Sequence, residues 1–365
     1  MRIRRFFVAP VLLSAALGAC GRGDTPSHGP PAASTSPANS DGGSAPLPTA
    51  SAASAPSSPS SGADRSPPAR TVATGTPTAA KAIGHTSLVF KVHLKTEGGR
   101  EENVVFKARF KKGPDRFRGE IAAFRLGEAL GIGDRLPVAA PVAFPASTFR
   151  ALLSGESATA YDEGALIDGS ARGPLVRGAS LGWIKGLSFY PLEKKTLRDR
   201  ALADLKHGAP PYVARPPQPG PVAPDEASLL AALPDAEEIS TLLAFDWLTG
   251  NFDRWSGANV GRDDPTGHLI YIDNDGAFLD PMPAAPLARQ WQLVDGCDRY
   301  SKRFVASLRS LDADALRGAL GTGLAKEPLL KATVLAGVLD RRAKLLASID
   351  AKIAKWGAEA VLAYP

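Results

Sequence analysis

Asp253, Asn259 and Asp273 lie within TLLAFDWLTGNFDRWSGANVGRDDPTGHLIYIDNDGAFLD, residues 241–280. The first two follow an expected helix, and the third stands at the end of an expected strand. Three side-chain oxygen donors at such positions suit a hard cation and a phosphate-bearing substrate. Upstream, Lys107 sits in the apolar string VVFKARF, and Glu120 opens the apolar-periodic GEIAAFRLGEALG. A lysine to offset phosphate charge, an acid to pair with it, an acid to orient a hydroxyl and two donors for metal form the set that phosphoryl transfer needs.

Each residue also has a plainer reading. A strand lysine ordinarily snorkels along a sheet face, and Glu120 could simply favour the positive end of its helix. Asp253 could serve an Asx-type turn, and Asp273 could begin the Asp273-Asn274-Asp275-Gly276 turn. A calcium loop over the same four residues is disfavoured, because the third spaced donor, the glycine at loop position six and the terminal glutamate are missing. Taken together the order of acid, asparagine, hairpin and acid tips the balance, since phosphoryl transfer asks for that combination.

The elements that must position these groups read as two lobes, an α+β arrangement over 84–185 and 186–365. SLVFKVHL and NVVFKARF flank Gly98-Gly99 and read as a β-hairpin carrying Lys107. A helix is expected from about Arg118 to Leu130, stopping at Gly131, with Ile121 and Phe124 on its core stripe beside Glu120. A carboxylate beside that stripe would be costly to bury without a cation, and Lys107 is the natural partner. LPVAAPVAF (136–144) reads as a further strand, and SLGWIKGLSF (180–189) as the strand and connector between the lobes.

In the second lobe Asp235 and Glu238 are placed as a capping box for a helix through Trp247 that Gly250 closes. Asp246 falls inside that helix and is expected to brace the following loop. The Pro-rich stretch from His207 to Asp225 reads as an exposed loop. Asn259-Val260-Gly261, the Asp264-to-Gly267 turn and HLIYID form a hairpin that returns Asp273 towards Asp253 and Asn259. Beyond Pro281 the pattern is helical, with Leu329, Leu330, Val334, Val338, Leu345 and Ile349 as core, and Trp247, Trp291 and Trp356 as packing residues.

The start of the chain has a different character. Arg2, Arg4 and Arg5 precede an apolar run from Phe6 to Leu17, too short to span a bilayer and suited to a secretory signal over 1–19. Residues 20–83, dominated by Pro, Ser, Ala, Gly and Thr, cannot bury enough apolar surface to offset ordering entropy and read as a disordered tether. About sixty such residues reach on average about 40 Å. Removing the three signal arginines from a formal +6 leaves about +3, too modest to suggest a nucleic-acid partner. With only Cys20 and Cys297 there is no disulfide framework or cysteine-based zinc site, and the five histidines contain no HExxH. The absence of a GxSxG elbow removes a further hydrolase class.

Leu17-Gly18-Ala19-Cys20 resembles the bacterial lipobox, which implies that Cys20 is lipidated and that the chain is anchored in the cell envelope; Gly21 in place of Asp implies the outer membrane. VVFK, GEIAAFRLGEALG and FDWLTGNFDR…IDNDGAF resemble strings of the secretory-pathway kinase family, which includes the Golgi casein kinase, the glycosaminoglycan xylosylkinase and Four-jointed. The likeness runs in matching order over roughly residues 84–280, and extends more distantly to phosphoinositide and HipA-type kinases. It implies an atypical protein-kinase-like fold: a small antiparallel β lobe with one helix, and a larger, mainly helical lobe. It further implies ATP with Mg2+ or Mn2+, and a hydroxyl of a protein or glycan as acceptor. Lys107 would then hold the α/β-phosphates, Glu120 would pair with it or approach the metal, and Asp253 would be the catalytic base. Asp273 would be the main metal ligand and Asn259 a second. The chain departs from the pattern in Trp255, where a histidine is usual, in the six-residue step from Asp253 to Asn259, and in lacking a GxGxxG; His85 to Phe90 is the stand-in phosphate-covering turn. Those departures, and the scarcity of ATP outside the cytoplasm, keep open a binding scaffold without turnover.

Overall fold

The computed structural model describes residues 72–84, 87–171, 173–323 and 326–365. The signal segment, Cys20 and the tether up to residue 71 lie outside the described residues, as do His85 and Thr86 of the expected phosphate-covering turn.

The first lobe is built on an antiparallel sheet. Its strands are β1 (Thr76–Ala82), β2 (Val89–Lys95), β3 (Glu101–Ala108), β4 (Ala139–Pro145), β5 (Ile167–Asp168) and β6 (Leu175–Gly182). They run in the order β1-β2-β3-β6-β4, with the short β5 paired to β6. Alternation along β2 and β3 sends Phe90, Val92, Leu94, Val104 and Phe106 to one face. There they meet Phe149 of α2 (Ala146–Ala151) and Tyr161 of α3 (Gly155–Gly164). Phe106 packs edge-on against Phe149 with ring centroids 5.2 Å apart. The same period of two turns Val105 and Lys107 to the other face, beside Ala179 and Leu181 of β6. That face receives α1 (Phe117–Ala129), whose Ile121, Ala122 and Leu126 are fully buried.

One boundary differs from the sequence expectation. Residues 76–82, assigned there to the tether, form β1 and pair with β2 from Thr76↔Lys95 to Ala82↔Phe90. The strand TPTAAKA has no large apolar side chain and leaves most positions exposed, so composition gives it no reason to fold. Backbone hydrogen bonds to β2 hold it, and Pro77 is tolerated because β1 is the edge strand.

The second lobe opens with β7 (Leu187–Phe189), which pairs with β8 (Val260–Asp263) and through it with β9 (Leu269–Tyr271). Around this small sheet lie α4 (Lys195–Ala203), α5 (Glu226–Ala231), α6 (Ala236–Thr249) and α7 (Ala284–Asp295). The remaining helices are α8 (Lys302–Ser310), α9 (Ala313–Leu320), α10 (Ala332–Trp356) and α11 (Ala358–Val361). Helix α6 is buried on nearly every side, and the acids it buries, Glu238 and Asp246, are paired with arginines. Val334, Val338, Leu345 and Ile349 form the buried stripe of α10. Trp247 and Trp291 pack with ring centroids 4.7 Å apart, and the Trp247 indole donates to the Arg341 carbonyl at 2.9 Å.

The start of α6 corrects a detail. Asp235 caps the helix by accepting from the Glu237 N–H at 2.8 Å, but Glu238 does not close a capping box. Its buried carboxylate is instead taken by Arg135, by His268 Nδ1 at 2.5 Å and by the Leu269 N–H at 3.4 Å. A buried guanidinium partner outcompetes one helix-end N–H for a carboxylate.

Candidate active site

Three elements far apart in sequence converge on the Lys107 ammonium. Its Nζ lies 2.5 Å from Glu120 Oε1 of α1 and 2.6 Å from Asp273 Oδ1, two residues past β9. Asp275 Oδ2 stands 3.8 Å away. Glu120 also receives the Asn274 N–H at 2.9 Å, so α1 is fastened to the 273–276 loop as well as to the sheet. Gly119 permits this approach, because a Cβ there would sit 2.5 Å from the Asn274 carbonyl oxygen. Asp273 has φ +57°, a left-handed conformation that an aspartate tolerates at some cost and that re-aims its carboxylate towards Lys107.

The loop after α6 is held by its own set of contacts. Gly250 ends the helix with φ +70°, which glycine adopts without strain. Asn251 Nδ2 then donates to the Asp273 carbonyl and to Asn274 Oδ1, both at 3.3 Å, while Asn251 Oδ1 accepts from the Asp253 N–H. Fully buried Arg254 grips Asp246 of α6 at 3.0 Å. It also donates to the carbonyls of Asn259 and Ile272 and to Asn274 Oδ1. Asp246 therefore braces the loop through Arg254, as the sequence led one to expect.

Asp253 itself is half-buried, and its charge is felt by Asp275. Among the described residues its carboxylate accepts no hydrogen bond and forms no ion pair, whereas its carbonyl receives Asn259 Nδ2 at 2.7 Å. Gly276 lies against it, with an added Cβ reaching to 3.1 Å from Asp253 Cβ. Asn259 is buried and spends its amide nitrogen on the Asp253 carbonyl and on Ser256 Oγ, which leaves its side-chain oxygen as the atom it could offer a cation.

Two participants escaped sequence reasoning. Asp275 looks like the third residue of a turn, yet it is buried, 2.6 Å from Arg116 Nη2 and within reach of Lys107. Arg116 precedes α1 and carries no motif; only the structure joins it to Asp275. The DNDG string did contain a signal, since two aspartates one residue apart in a tight turn bring their charges close together.

Electrostatics set the protonation states. Burial alone would lower the pKa of Lys107, but Glu120, Asp273 and Asp275 overcome it and push it well above the ordinary value. Burial raises the Asp273 carboxyl, and Lys107, through charge and hydrogen bond, more than reverses this and holds it below the usual range. For Asp275 burial prevails over Lys107, and its pKa is raised. The cluster gathers five carboxylates, of Glu120, Asp246, Asp253, Asp273 and Asp275, around three cations, Lys107, Arg116 and Arg254. Oxygen-only donors with an excess of negative charge fit Mg2+ or Mn2+. Among the described residues no group of three or more His, Cys, Asp or Glu side chains is placed to hold a metal ion by itself. Magnesium needs no such group, being held by one or two carboxylates, waters and phosphate oxygens.

Among the described residues no rival constellation stands outside this cluster. A cavity of about 670 Å³ lined by Arg135, Tyr212, Arg215 and His268 lies at the other end of α6. The fourteen residues of α6, about 21 Å of helix, separate it from the loop that carries Asp253. Its carboxylates Asp235, Glu237 and Glu238 are already engaged, in capping, with the Thr241 hydroxyl and in ion pairing.

Solved structures share this arrangement of elements. The Golgi casein kinase matches with a TM-score of 0.50 at 13% identity, over 80% of this chain and 76% of its own. Hydra Fam20, solved with a sugar, matches with a TM-score of 0.50 at 18% identity, over 79% of this chain and 89% of its own. The fold is kinase-like. No family model matches the chain, and no curated protein sequence matches it. Likeness at this identity speaks for the fold, so the chemistry has to be argued from the residues.

Proposed function

We propose that the chain is an ATP-dependent kinase, anchored to the cell envelope through lipidated Cys20, that transfers the γ-phosphate to a hydroxyl of a protein or glycan. The single observation that carries this reading is Lys107 bonded at once to Glu120 and to Asp273. A lysine held by an acid of the helix packed on its own face of the sheet and by an acid after the hairpin is the phosphate clamp that kinases use. The kinase-like fold supports it.

In this reading Glu120 fixes the Lys107 ammonium where it meets the α/β-phosphates. Asp253, whose carboxylate has no partner among the described residues, orients the acceptor hydroxyl for in-line attack on the γ-phosphorus. The new P–O bond forms as the bond to the β–γ bridging oxygen breaks, ADP departs, and the hydroxyl proton passes to Asp253. Asp273, with Asp275 and the Asn259 side-chain oxygen, would hold Mg2+ or Mn2+. The ion, when bound, supplies positive charge to the phosphate oxygens. The tether would let the domain work some distance from the membrane.

The test is transfer from labelled ATP to a panel of peptides and glycans with manganese or magnesium, using Asp253→Ala as control. Label transferred by the wild type and lost in the variant supports the proposal. Tight nucleotide binding with no transfer to any acceptor, unchanged in Asp253→Ala, would replace it with the scaffold reading.

A further inference from the structure

Four residues along the sheet from Lys107 stands a second group of side chains on the same face. The register places Lys91 opposite Val105 and His93 opposite Asn103 on β3. Val105 in turn faces Leu181, and Val104 faces Gly182, so Trp183 emerges from β6 level with Asn103. Trp183 is 37% exposed, unusually open for a tryptophan, and the Lys91 ammonium lies 4.6 Å from its ring centroid. A ring face that already attracts a cation is an accessible π surface. Lys91 and Lys107 share the period-two face of the hairpin, so the Trp183 ring looks onto the side of the sheet that holds Lys107 and Asp273. Beside it, Asn103 Oδ1 is buried and has no hydrogen-bond partner among the described residues. Such an atom costs free energy unless something donates to it.

The spacing decides what that something is. From Lys107 to Asn103 the strand advances four residues, about 13 Å, the reach of an extended nucleoside triphosphate from its phosphates to its base. We infer that Trp183 and Asn103 form the base-selecting end of the nucleotide site, Trp183 stacking on a purine and Asn103 Oδ1 accepting from an exocyclic amino group. Lys91 covers the ring until the base takes its place. This selects adenine, whose amino group donates, over hypoxanthine, which carries an oxygen at the same position. The inference rests on the kinase reading above, and deepens it by naming the side chains that choose the base.

The test compares three probes, ATP, inosine triphosphate and inorganic triphosphate, titrated by calorimetry into the full chain in detergent with manganese. Wild type should bind ATP more tightly than either other probe. Trp183→Ala should weaken ATP about ten- to a hundred-fold, towards the level of inorganic triphosphate, and leave inorganic triphosphate itself unchanged. Trp183→Phe, which keeps a ring, should stay within a few-fold of wild type and guards against misfolding as the cause. Asn103→Leu should erase the preference for ATP over inosine triphosphate. Wild-type ATP affinity in Trp183→Ala would overturn the inference and leave the kinase reading standing. A wild type that binds neither ATP nor inorganic triphosphate would overturn the kinase reading as well.

Discussion

At the residue scale the site divides into groups that hold the fold and groups that do not. Lys107 is buried against Glu120, whose side chain is 1% exposed, so Lys107→Ala strands a carboxylate in the interior. Breaking a buried pair in this way costs about 3–5 kcal/mol. We expect a visibly lower melting temperature in Lys107→Ala, recovered in Lys107→Met/Glu120→Gln without recovery of transfer. Asp253→Asn should behave oppositely: transfer falls about 10²- to 10⁴-fold, while the denaturant midpoint and nucleotide binding stay put. The two ion-pair partners also set a pH window. The depressed Asp273 carboxyl contributes stability that is full above about pH 4 and is lost as pH falls through its lower folded pKa. The raised pKa of Lys107 contributes stability that is full below about pH 10 and is lost only as pH rises through the folded value. The gap in denaturant midpoint between wild type and Asp273→Asn should therefore be flat from about pH 5 to 9 and narrow below about pH 4. Narrowing near neutrality would mean that the two groups are not paired in solution.

At the scale of elements, the decisive joint is the end of α6. Gly250 at φ +70° hands the helix over to Asn251 and Asp253, and a Cβ there would meet Met282 Cε at 2.4 Å. Gly250→Ala should cost at least about 1 kcal/mol and reduce turnover by more than its effect on stability implies, because it shifts the loop that carries Asp253. Turnover unchanged at reduced stability would show that the loop finds its position without this turn. This joint was legible beforehand: the apolar run, the glycine and the NFDR loop each carry a local signal. So were the β2–β3 hairpin, helix α1 and the pairing of Lys107 with Glu120, because periodicity and the cost of burying a lone carboxylate act locally. What escaped was set by tertiary contact. β1 exists because β2 offers a ladder, Glu238 leaves its capping role because Arg135 and His268 reach it, and Asp275 matters because Arg116 folds over it. None of these partners lies within ten residues of the group it captures, apart from β1 and its strand neighbour, and no local pattern encodes them.

For the whole molecule, the relevant fact is that one apolar cluster serves both lobes. It runs from Ala139, Ala179 and Leu181 on the sheet, through Ile121 and Leu126 of α1, to Leu242 and Phe245 of α6 and Val338 and Leu345 of α10. Elements that share a core lose it together, so the described domain should unfold in a single transition, with the helical lobe stabilised by whatever the cleft binds. Cys297 gives a way to see this. It is 1% exposed after α7, and burial pushes its thiol up to about 12, so in the folded chain it should be inert to alkylation at pH 8 and react only on unfolding. Slow alkylation of Cys297 under native conditions then reports global opening. ATP with manganese, bound beside Lys107 and Asp273, should slow that alkylation about a hundredfold when present at a hundred times its dissociation constant. The protection should vanish in Asp273→Ala, although residue 273 belongs to the cleft and Cys297 to the helical lobe. Protection that persists in Asp273→Ala would place the nucleotide elsewhere. Alkylation of wild-type protein that ignores saturating nucleotide would mean that the helical lobe opens independently of the sheet, and that the shared core does not couple them.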